Sequence, residues 1–268
     1  MKNIRYICSG IILLIISFSA VAQDDQKLDS TTGMQASGTR GPDNVFKLNL
    51  SSLALKNISL QYERKLGRKF SVCLGFRLMP QSPLPFYPLI LTRIQSQGSD
   101  SSGQNAIRNA RIGNWALTPE IRFYTGKKGA PRGFYIALFA RYAQFNMDVP
   151  ITFTSQNGQP YNLQLNGKLN GIGGGFLLGY QWLIGRHVTL DWWIFGPMFG
   201  VSKSSLDAIA DLSGLSAQDK QQLVNNIQTF GIPLTTINAS VSNSGVQVNA
   251  NSVFPGIRGL GLNLGIAF

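Results

Sequence analysis

Hydrophobic and polar residues alternate with a period of two along eight segments of this chain. In one of them, Phe70, Val72 and Leu74 share one face, while Ser71 and Cys73 share the other. Successive side chains of a β-strand point to opposite faces, so this period predicts strands with one apolar face and one polar or small face. The eight segments lie at 46–51, 58–63, 70–78, 114–124, 133–145, 169–182, 188–195 and 259–268.

The connections between these segments differ in length in a regular way. Three short ones, all rich in basic residues, lie at 65–69, 125–132 and 184–187 at one predicted end, while the first hairpin near 53–57 is a short exception at the other end. The long ones lie at 79–112, 147–168 and 197–255. An even number of strands with short turns at one end and long loops at the other is typical of bacterial outer-membrane barrels. We therefore predict an all-β fold, an eight-stranded antiparallel transmembrane β-barrel with short periplasmic turns and long extracellular loops.

The N-terminus has the pattern of a secretory signal peptide. Lys2 and Arg5 precede a short apolar run at 11–16, and Ala20 and Ala22 have the small-x-small spacing of a cleavage site. We predict a signal peptide at 1–22, a flexible periplasmic leader at 23–43, which is polar and rich in Gly, Ser and Thr, and the barrel at 44–268. This order predicts export to the bacterial outer membrane.

The last predicted external loop, 198–252, contains a helical pattern. Ser204 with Asp207, and Ser216 with Asp219, have the spacing of a capping box. We predict two short helices within 204–230, one beginning at each capping box. Whether they cover the barrel mouth or form a docking surface is left open by the sequence.

The chain ends in an amphipathic segment with a terminal aromatic residue. Leu264, Ile266 and Phe268 alternate with Gly265 and Ala267. This ending resembles the C-terminal assembly signal of outer-membrane barrels, which implies the barrel-assembly machinery as a partner during biogenesis. The alternative is the last apolar strand of a soluble β-sandwich.

Several ionisable residues fall on the predicted lumenal faces of the strands. They are Lys47, Glu63, Arg77, Glu120, Arg122, Arg141 and Asp191. Buried charges are costly unless they are paired, so we expect the three acidic residues and the three arginines to form one network. Such a network is either a polar plug or the gate of a narrow conduction path, and the small interior of an eight-stranded barrel favours the plug.

Residues for catalysis are scarce. The single histidine, His187, falls in a predicted periplasmic turn, out of reach of lipopolysaccharide in the outer leaflet. The sequence has no Gly-x-Ser-x-Gly motif, and after cleavage of the signal peptide Cys73 is the only cysteine. We therefore expect no enzymatic activity and no cofactor or metal, although an active site built only from Asp and Glu in a long loop stays open.

The charge balance points to partners in the envelope. The chain has a formal net charge of +12, which becomes about +10 without Lys2 and Arg5. Nucleic acid is not an expected partner of an exported protein. Outer-membrane lipid and the phosphates of lipopolysaccharide are the expected counterparts, unless the charges only solvate turns and loops.

Three runs of residues resemble a known family. They are KNISLQYERKLGRKFSVCLGFRL (56–78), LTPEIRFYTGKKGAPRGFYIALFARY (117–142) and GGGFLLGYQWLIGRHVTLDWWIFGP (173–197). They resemble uncharacterised outer-membrane barrels that carry a domain of unknown function and are akin to OmpA-type and OmpW-type small barrels. The resemblance implies an eight-stranded barrel and brings no catalytic residues with it.

The sequence thus predicts a non-enzymatic integral outer-membrane barrel. Its expected role is structural support of the envelope or surface binding through the external loops, with a charged network that plugs the lumen. The alternative is a narrow channel, or a carrier for small solutes or apolar molecules.

Overall fold

The computed structural model describes residues 41–84, 86–95, 101–154, 160–228 and 234–268. The predicted signal peptide and nearly all of the predicted leader lie outside these residues. The strands are β1 (Asn44–Asn49), β2 (Ile58–Lys65), β3 (Phe70–Pro83), β4 (Arg111–Tyr124), β5 (Gly133–Thr154), β6 (Pro160–Ile184), β7 (Val188–Phe195), β8 (Pro197–Ile209), β9 (Thr235–Ser242), β10 (Gly245–Val253), β11 (Gly256–Ile257) and β12 (Gly261–Ala267). The helices are α1 (Leu50–Leu53), α2 (Tyr87–Gln95), α3 (Ser101–Asn109) and α4 (Ala217–Gln228).

Antiparallel pairing closes eight strands into a barrel. Strands β1 to β6 pair in chain order, β6 pairs with β7, β7 with β12, and β12 with β1. The strand β7 continues as β8, which pairs farther along β6, and β10 pairs with β8 above the junction of β7 and β12. The eight barrel strands are therefore β1 to β6, the β7–β8 strand and the β10–β12 strand, as the alternation predicts.

The first and last residues of the barrel complete its closure. The Asn44 N–H donates to the Phe268 carbonyl at 2.9 Å, and the Phe268 N–H donates to the Asn44 carbonyl at the same distance. Elsewhere the ladder between β4 and β5 is interrupted at Thr118 and Pro119. Proline has no N–H to donate, so Pro119 weakens the pairing at this point.

The outward face of the barrel is a band of large apolar side chains. Leu138 is 69% exposed and Ile266 is 64% exposed, whereas their lumen-facing neighbours Ala137 and Ala267 are buried. A continuous apolar surface of this kind is stable in hydrocarbon, and closure pairs the backbone groups that hydrocarbon leaves unsatisfied. The barrel is therefore a transmembrane barrel.

The two ends of the barrel differ. One, which we call the turn end, carries the short connections that join β2 to β3, β4 to β5 and β6 to β7. The other, the loop end, carries the long connections. The strands β5 and β6 have 22 and 25 residues, and a strand needs only about 10 residues to cross a bilayer. About half of each strand therefore lies beyond the membrane at the loop end.

The loop-end part comprises the described residues of 79–114, 145–169 and 202–253, and it has an apolar core of its own. One cluster joins α2 and α3 to β5 through Leu91, Ile107 and Val149. A second cluster joins α4 to β8 and β10. Leu165 of β6 packs against both clusters, so they form one continuous core. None of the described helices is long and apolar enough to cross a membrane.

One of the two helices predicted in the last loop is wrong, and the other is confirmed. Residues 204–209 belong to β8, because β6 and β10 offer hydrogen-bonding partners along both edges of this segment. The second helix, α4, begins after Ser216, whose hydroxyl accepts from the Asp219 N–H at 3.1 Å. The predicted loop 198–252 is thus mainly a sheet with one helix in its described residues.

The other two predicted long loops are also more regular than expected. Residues 147–154 and 160–168 continue the hairpin of β5 and β6, and 79–83 extends β3. The helices α2 and α3, which the sequence analysis did not predict, occupy most of the connection between β3 and β4. The helices α2 and α3 are stabilised by packing against β5.

The transmembrane assignment predicts how stability depends on position. Replacing Leu138→Arg places a charge on the lipid face near mid-membrane, and we expect it to lower the free energy of unfolding by about 2–4 kcal/mol. The matched control is Ile209→Arg, at a position that is 79% exposed on β8 in the loop-end part. Denaturant unfolding in phospholipid vesicles measures both variants, and an equal loss in the two would contradict the assignment.

Candidate functional site in the barrel lumen

Five of the seven predicted lumenal residues meet in the half of the lumen near the turn end. Lys47 of β1, Glu63 of β2 and Asp191 of β7 have side chains with no solvent exposure. The Lys47 Nζ donates to Glu63 Oε2 at 2.5 Å and to Asp191 Oδ2 at 2.8 Å. The lysine thus joins two carboxylates that approach from different sides of the barrel.

Arg122 of β4 is the second cation of this group. Its Nη1 lies 2.8 Å from Asp191 Oδ2, and its Nε donates to Glu120 Oε1 at 2.5 Å. Its guanidinium carbon lies 4.2 Å from the centre of the Tyr135 ring. We call Lys47, Glu63, Glu120, Arg122 and Asp191 the charged plug, because together their side chains cross the lumen.

Neutral side chains complete the hydrogen bonding of the charged plug. The hydroxyl groups of Tyr124 and Ser71 donate to Glu63 Oε1, and that of Tyr135 donates to Asp191 Oδ1. The Gln181 Oε1 accepts from the Lys47 Nζ at 2.6 Å and from the Arg122 Nη1 at 3.0 Å. Buried ion pairs need such partners, because they have lost their hydration. None of these neutral residues was among the predicted members of the network.

Glycines provide the space for the large members of the cluster. A Cβ atom on Gly179 would overlap with the Tyr135 ring, and one on Gly265 would lie 2.9 Å from the Lys47 Cγ. The interior of an eight-stranded barrel is only about wide enough for side chains, so large ones need small residues on the neighbouring strands. Small residues in one strand and large polar residues in the next therefore fill the narrow lumen together.

Arg258 belongs to the same network, although the sequence analysis missed it. Its Nη1 donates to Glu120 Oε2 at 2.5 Å, and its guanidinium carbon lies 3.9 Å from the centre of the Trp193 ring. Strict alternation from β12 places residue 258 on the lipid face. The backbone breaks this alternation between β11 and β12, where Leu260 has a φ of 53°. The nearby Pro255, Gly256 and Gly259 were the available signal of a break.

Arg77 and Arg141 do not join the acidic residues, contrary to expectation. The Arg141 Nε donates to the Thr118 hydroxyl at 3.0 Å, and the buried Arg77 Nε has no hydrogen-bond partner. In the described structure neither side chain has a carboxylate within 4.0 Å. The reason is their position along the barrel axis, because both arginines lie closer to the loop end than Glu120. Lys47 and Arg258 occupy the positions beside the carboxylates instead.

The other predicted residues lie away from this cluster. Leu264, Ile266 and Phe268 all point outward from the barrel at its closing edge, and Phe268 pairs with Asn44. His187 lies in the turn between β6 and β7, where its Nδ1 is 3.3 Å from the Ala267 carbonyl oxygen. The described residues contain no group of three or more His, Cys, Asp or Glu side chains arranged to hold a metal ion.

The geometry of the charged plug predicts a large effect of removing its lysine. Lys47→Met leaves Glu63 and Asp191 with less compensation, and we expect the free energy of unfolding to fall by about 3–5 kcal/mol. The control is Lys65→Met at the same end of the barrel, where Nζ lies 3.6 Å from a partly exposed Asp43 carboxylate. We expect this control to lose less than about 1 kcal/mol. Guanidinium unfolding in vesicles compares the two, and similar losses would contradict the role assigned to Lys47.

Comparisons with known proteins place the chain in a family. No curated protein sequence matches it. Among solved structures, the translocator domain of the autotransporter NalP from Neisseria meningitidis is similar with a TM-score of 0.32 and 9% identity, over 84% of this chain and 87% of that chain. The predicted kinship with OmpA-type and OmpW-type barrels stays a prediction. A family model described as a protein of unknown function (DUF3575) matches residues 28–200, which is more than half of the chain, and the chain therefore belongs to the DUF3575 family.

Proposed function

We propose that this protein is a non-enzymatic outer-membrane barrel with a closed lumen, which acts through its loop-end part at the cell surface. The observation that carries the proposal is the charged plug, in which Lys47, Glu63, Arg122 and Asp191 are fully buried. A lumen filled in this way leaves the loop-end part as the site of any contact with partners. Support of the envelope or surface binding is the role that fits this division.

The orientation follows from the connections. Outer-membrane barrels have short turns in the periplasm and long loops outside the cell. In this barrel all three connections at the turn end are short, and the long connections are all at the other end, so the loop-end part faces outward. The predicted signal peptide at 1–22 and the C-terminal pattern of Leu264, Ile266 and Phe268 fit export and insertion by the barrel-assembly machinery.

The loop-end part is built as a folded surface. Its apolar core joins the three larger helices, α2, α3 and α4, to the long strands. The strands β5, β6, β8 and β10 continue from the barrel into it with unbroken pairing. Such a surface holds its groups in fixed positions, and fixed positions favour the binding of a partner because little ordering is needed on association.

The exposed basic residues contact lipid headgroups mainly at the turn end. The side chains of Arg64, Arg68, Lys69, Lys127, Lys128 and Arg186 are all exposed there. With the turn end in the periplasm, they face the headgroups of the inner leaflet, and anionic phospholipids are their natural counterparts. Lipopolysaccharide in the outer leaflet adjoins the barrel at the loop end.

Cysteine labelling tests the orientation. Ser244→Cys lies in the exposed turn between β9 and β10, and Lys127→Cys lies in an exposed turn at the other end. In intact cells, we expect a membrane-impermeant maleimide to label residue 244 and to leave residue 127 unlabelled until the outer membrane is permeabilised. The native Cys73 is buried and supplies the unreacted background. Labelling of residue 127 alone in intact cells would reverse the orientation.

Conductance tests the closed lumen. We expect the mature protein to give no discrete current steps in planar bilayers at high salt. The double variant Lys47→Ala, Glu63→Ala removes one cation and one anion together, so it opens space in the plug at little change in net charge. We expect this variant to pass intermittent currents, provided that it shows the gel shift of a folded barrel. Steady conductance of the unaltered protein would favour the channel alternative over the proposal.

A further inference from the structure

The lumen carries more positive than negative charge. The described ionisable groups on its inner face include five cations and three carboxylates. The cations are Lys47, Arg77, Arg122, Arg141 and Arg258, and the carboxylates are those of Glu63, Glu120 and Asp191. Ion pairs use all three carboxylates for Lys47, Arg122 and Arg258. The two remaining guanidinium groups form no ion pair with a carboxylate of the described part of the chain.

These two groups are Arg77 and Arg141. Arginine stays protonated in proteins, so both carry their charge into the barrel. The Arg141 Nε has the Thr118 hydroxyl as its acceptor, but a hydroxyl carries no compensating charge. The Arg77 Nε is buried and has no acceptor. A buried charge without an ion pair is energetically unfavourable unless a further anion or solvent contacts it.

Both side chains reach the same level of the lumen. Arg77 of β3 lies opposite Ala116 of β4, and Arg141 of β5 bonds to Thr118, the next lumenal position of β4. Ala116 is small, so the intervening strand β4 places no large side chain between Arg77 and Arg141. Arg258 lies beside them, with its guanidinium carbon 5.2 Å from the centre of the Phe139 ring, and Arg141 is 5.9 Å from the same centre.

Arg77 and Arg141 are less buried than the residues of the charged plug. Both are half-buried, whereas Glu120 and Arg122, nearer the turn end on β4, are buried almost completely. The exposed part of the two arginine side chains therefore lies on the loop-end side of the charged plug.

We propose that Arg77 and Arg141, with Arg258 beside them, bind a phosphate group or a comparable oxyanion in the lumen. Guanidinium groups match phosphate oxygens in geometry and donate two parallel hydrogen bonds to them. A phosphate monoester carries a charge of about −1.5 to −2 at neutral pH, which matches the two uncompensated arginines. The site is separate from the proposed surface role, so either proposal can fail while the other stands.

The fluorescence of Trp193 provides a direct readout. Its indole stacks on the Arg258 guanidinium at 3.9 Å, so an anion beside Arg258 changes its surroundings. The other three tryptophans, Trp115, Trp182 and Trp192, are replaced by Phe to leave this single reporter. We titrate the folded protein in phosphatidylcholine vesicles with inorganic phosphate, and with chloride at equal ionic strength. We expect a saturable change with phosphate and none with chloride.

Variants assign the binding to the two arginines. We expect Arg77→Gln and Arg141→Gln each to weaken phosphate binding by roughly tenfold or more, because each removes a charge-assisted interaction of about 1.5–3 kcal/mol. Arg64→Gln and Arg111→Gln, at exposed positions outside the lumen, are the matched controls and keep the affinity of the parent protein.

Thermal unfolding of the unmodified protein tests the same site without any variant. We expect phosphate, but not chloride, to raise the unfolding temperature, because a ligand that binds only the folded state stabilises it. The double variant Arg77→Gln, Arg141→Gln loses this response and unfolds in phosphate-free buffer at the same temperature as the parent or higher.

Two arms distinguish the source of the phosphate group. If free phosphate saturates the change in phosphatidylcholine vesicles, the ligand is a soluble anion. If the change appears only in vesicles that contain lipopolysaccharide, without added phosphate, the group belongs to the lipid. Equal responses to phosphate and chloride in every vesicle, or an unchanged response in the double variant, would overturn the proposal.

Discussion

Closure of the hydrogen-bonded ladder is the constraint on which the rest of this structure depends. In hydrocarbon every backbone N–H and C=O must find a partner within the protein, and the pairing of β1 with β12, completed by Asn44 and Phe268, leaves the membrane-spanning sheet without an edge. Closure with eight strands also fixes a lumen that is about wide enough for side chains alone. The inward-facing residues must therefore fill that lumen, and the polar ones among them must satisfy one another.

The plug shows how these two demands are met together. Long side chains such as Lys47 and Tyr135 fit because glycines stand opposite them, and their polar ends converge on the carboxylates of Glu63 and Asp191. Near the turn end, three carboxylates form ion pairs with three cations. At the next level toward the loop end, the lumen contains Arg77 and Arg141 but no described carboxylate. The charges are therefore distributed unevenly along the barrel axis. An excess of positive charge distinguishes the level of Arg77 and Arg141 from the charged plug.

Alternation in the sequence was sufficient to predict the membrane-spanning part of the strands and the faces of most of their residues, because both depend on local geometry. It assigned Lys47 and Asp191 correctly to the lumen. It did not predict which charges would meet, since heights along the barrel depend on strand stagger, and stagger is set by pairing between distant segments. It did not identify Arg258 as lumenal, because a break at 258–260 inverts the alternation that β12 follows. Long-range pairing also explains why the capping-box spacing of Ser204 and Asp207 did not give a helix. This segment forms a strand because β6 and β10 pair with it on both sides.

The long strands connect the two functional proposals physically. In β5, one uninterrupted strand carries Tyr135 at the plug, Arg141 at the unpaired level and Val149 in the core of the loop-end part. A strand that is paired along its whole length bends little. The packing of the lumen therefore also fixes the position of the loop-end part. The long paired strands thus hold the loop-end part in a fixed orientation relative to the barrel, and this is the property that the proposed binding surface or envelope support needs.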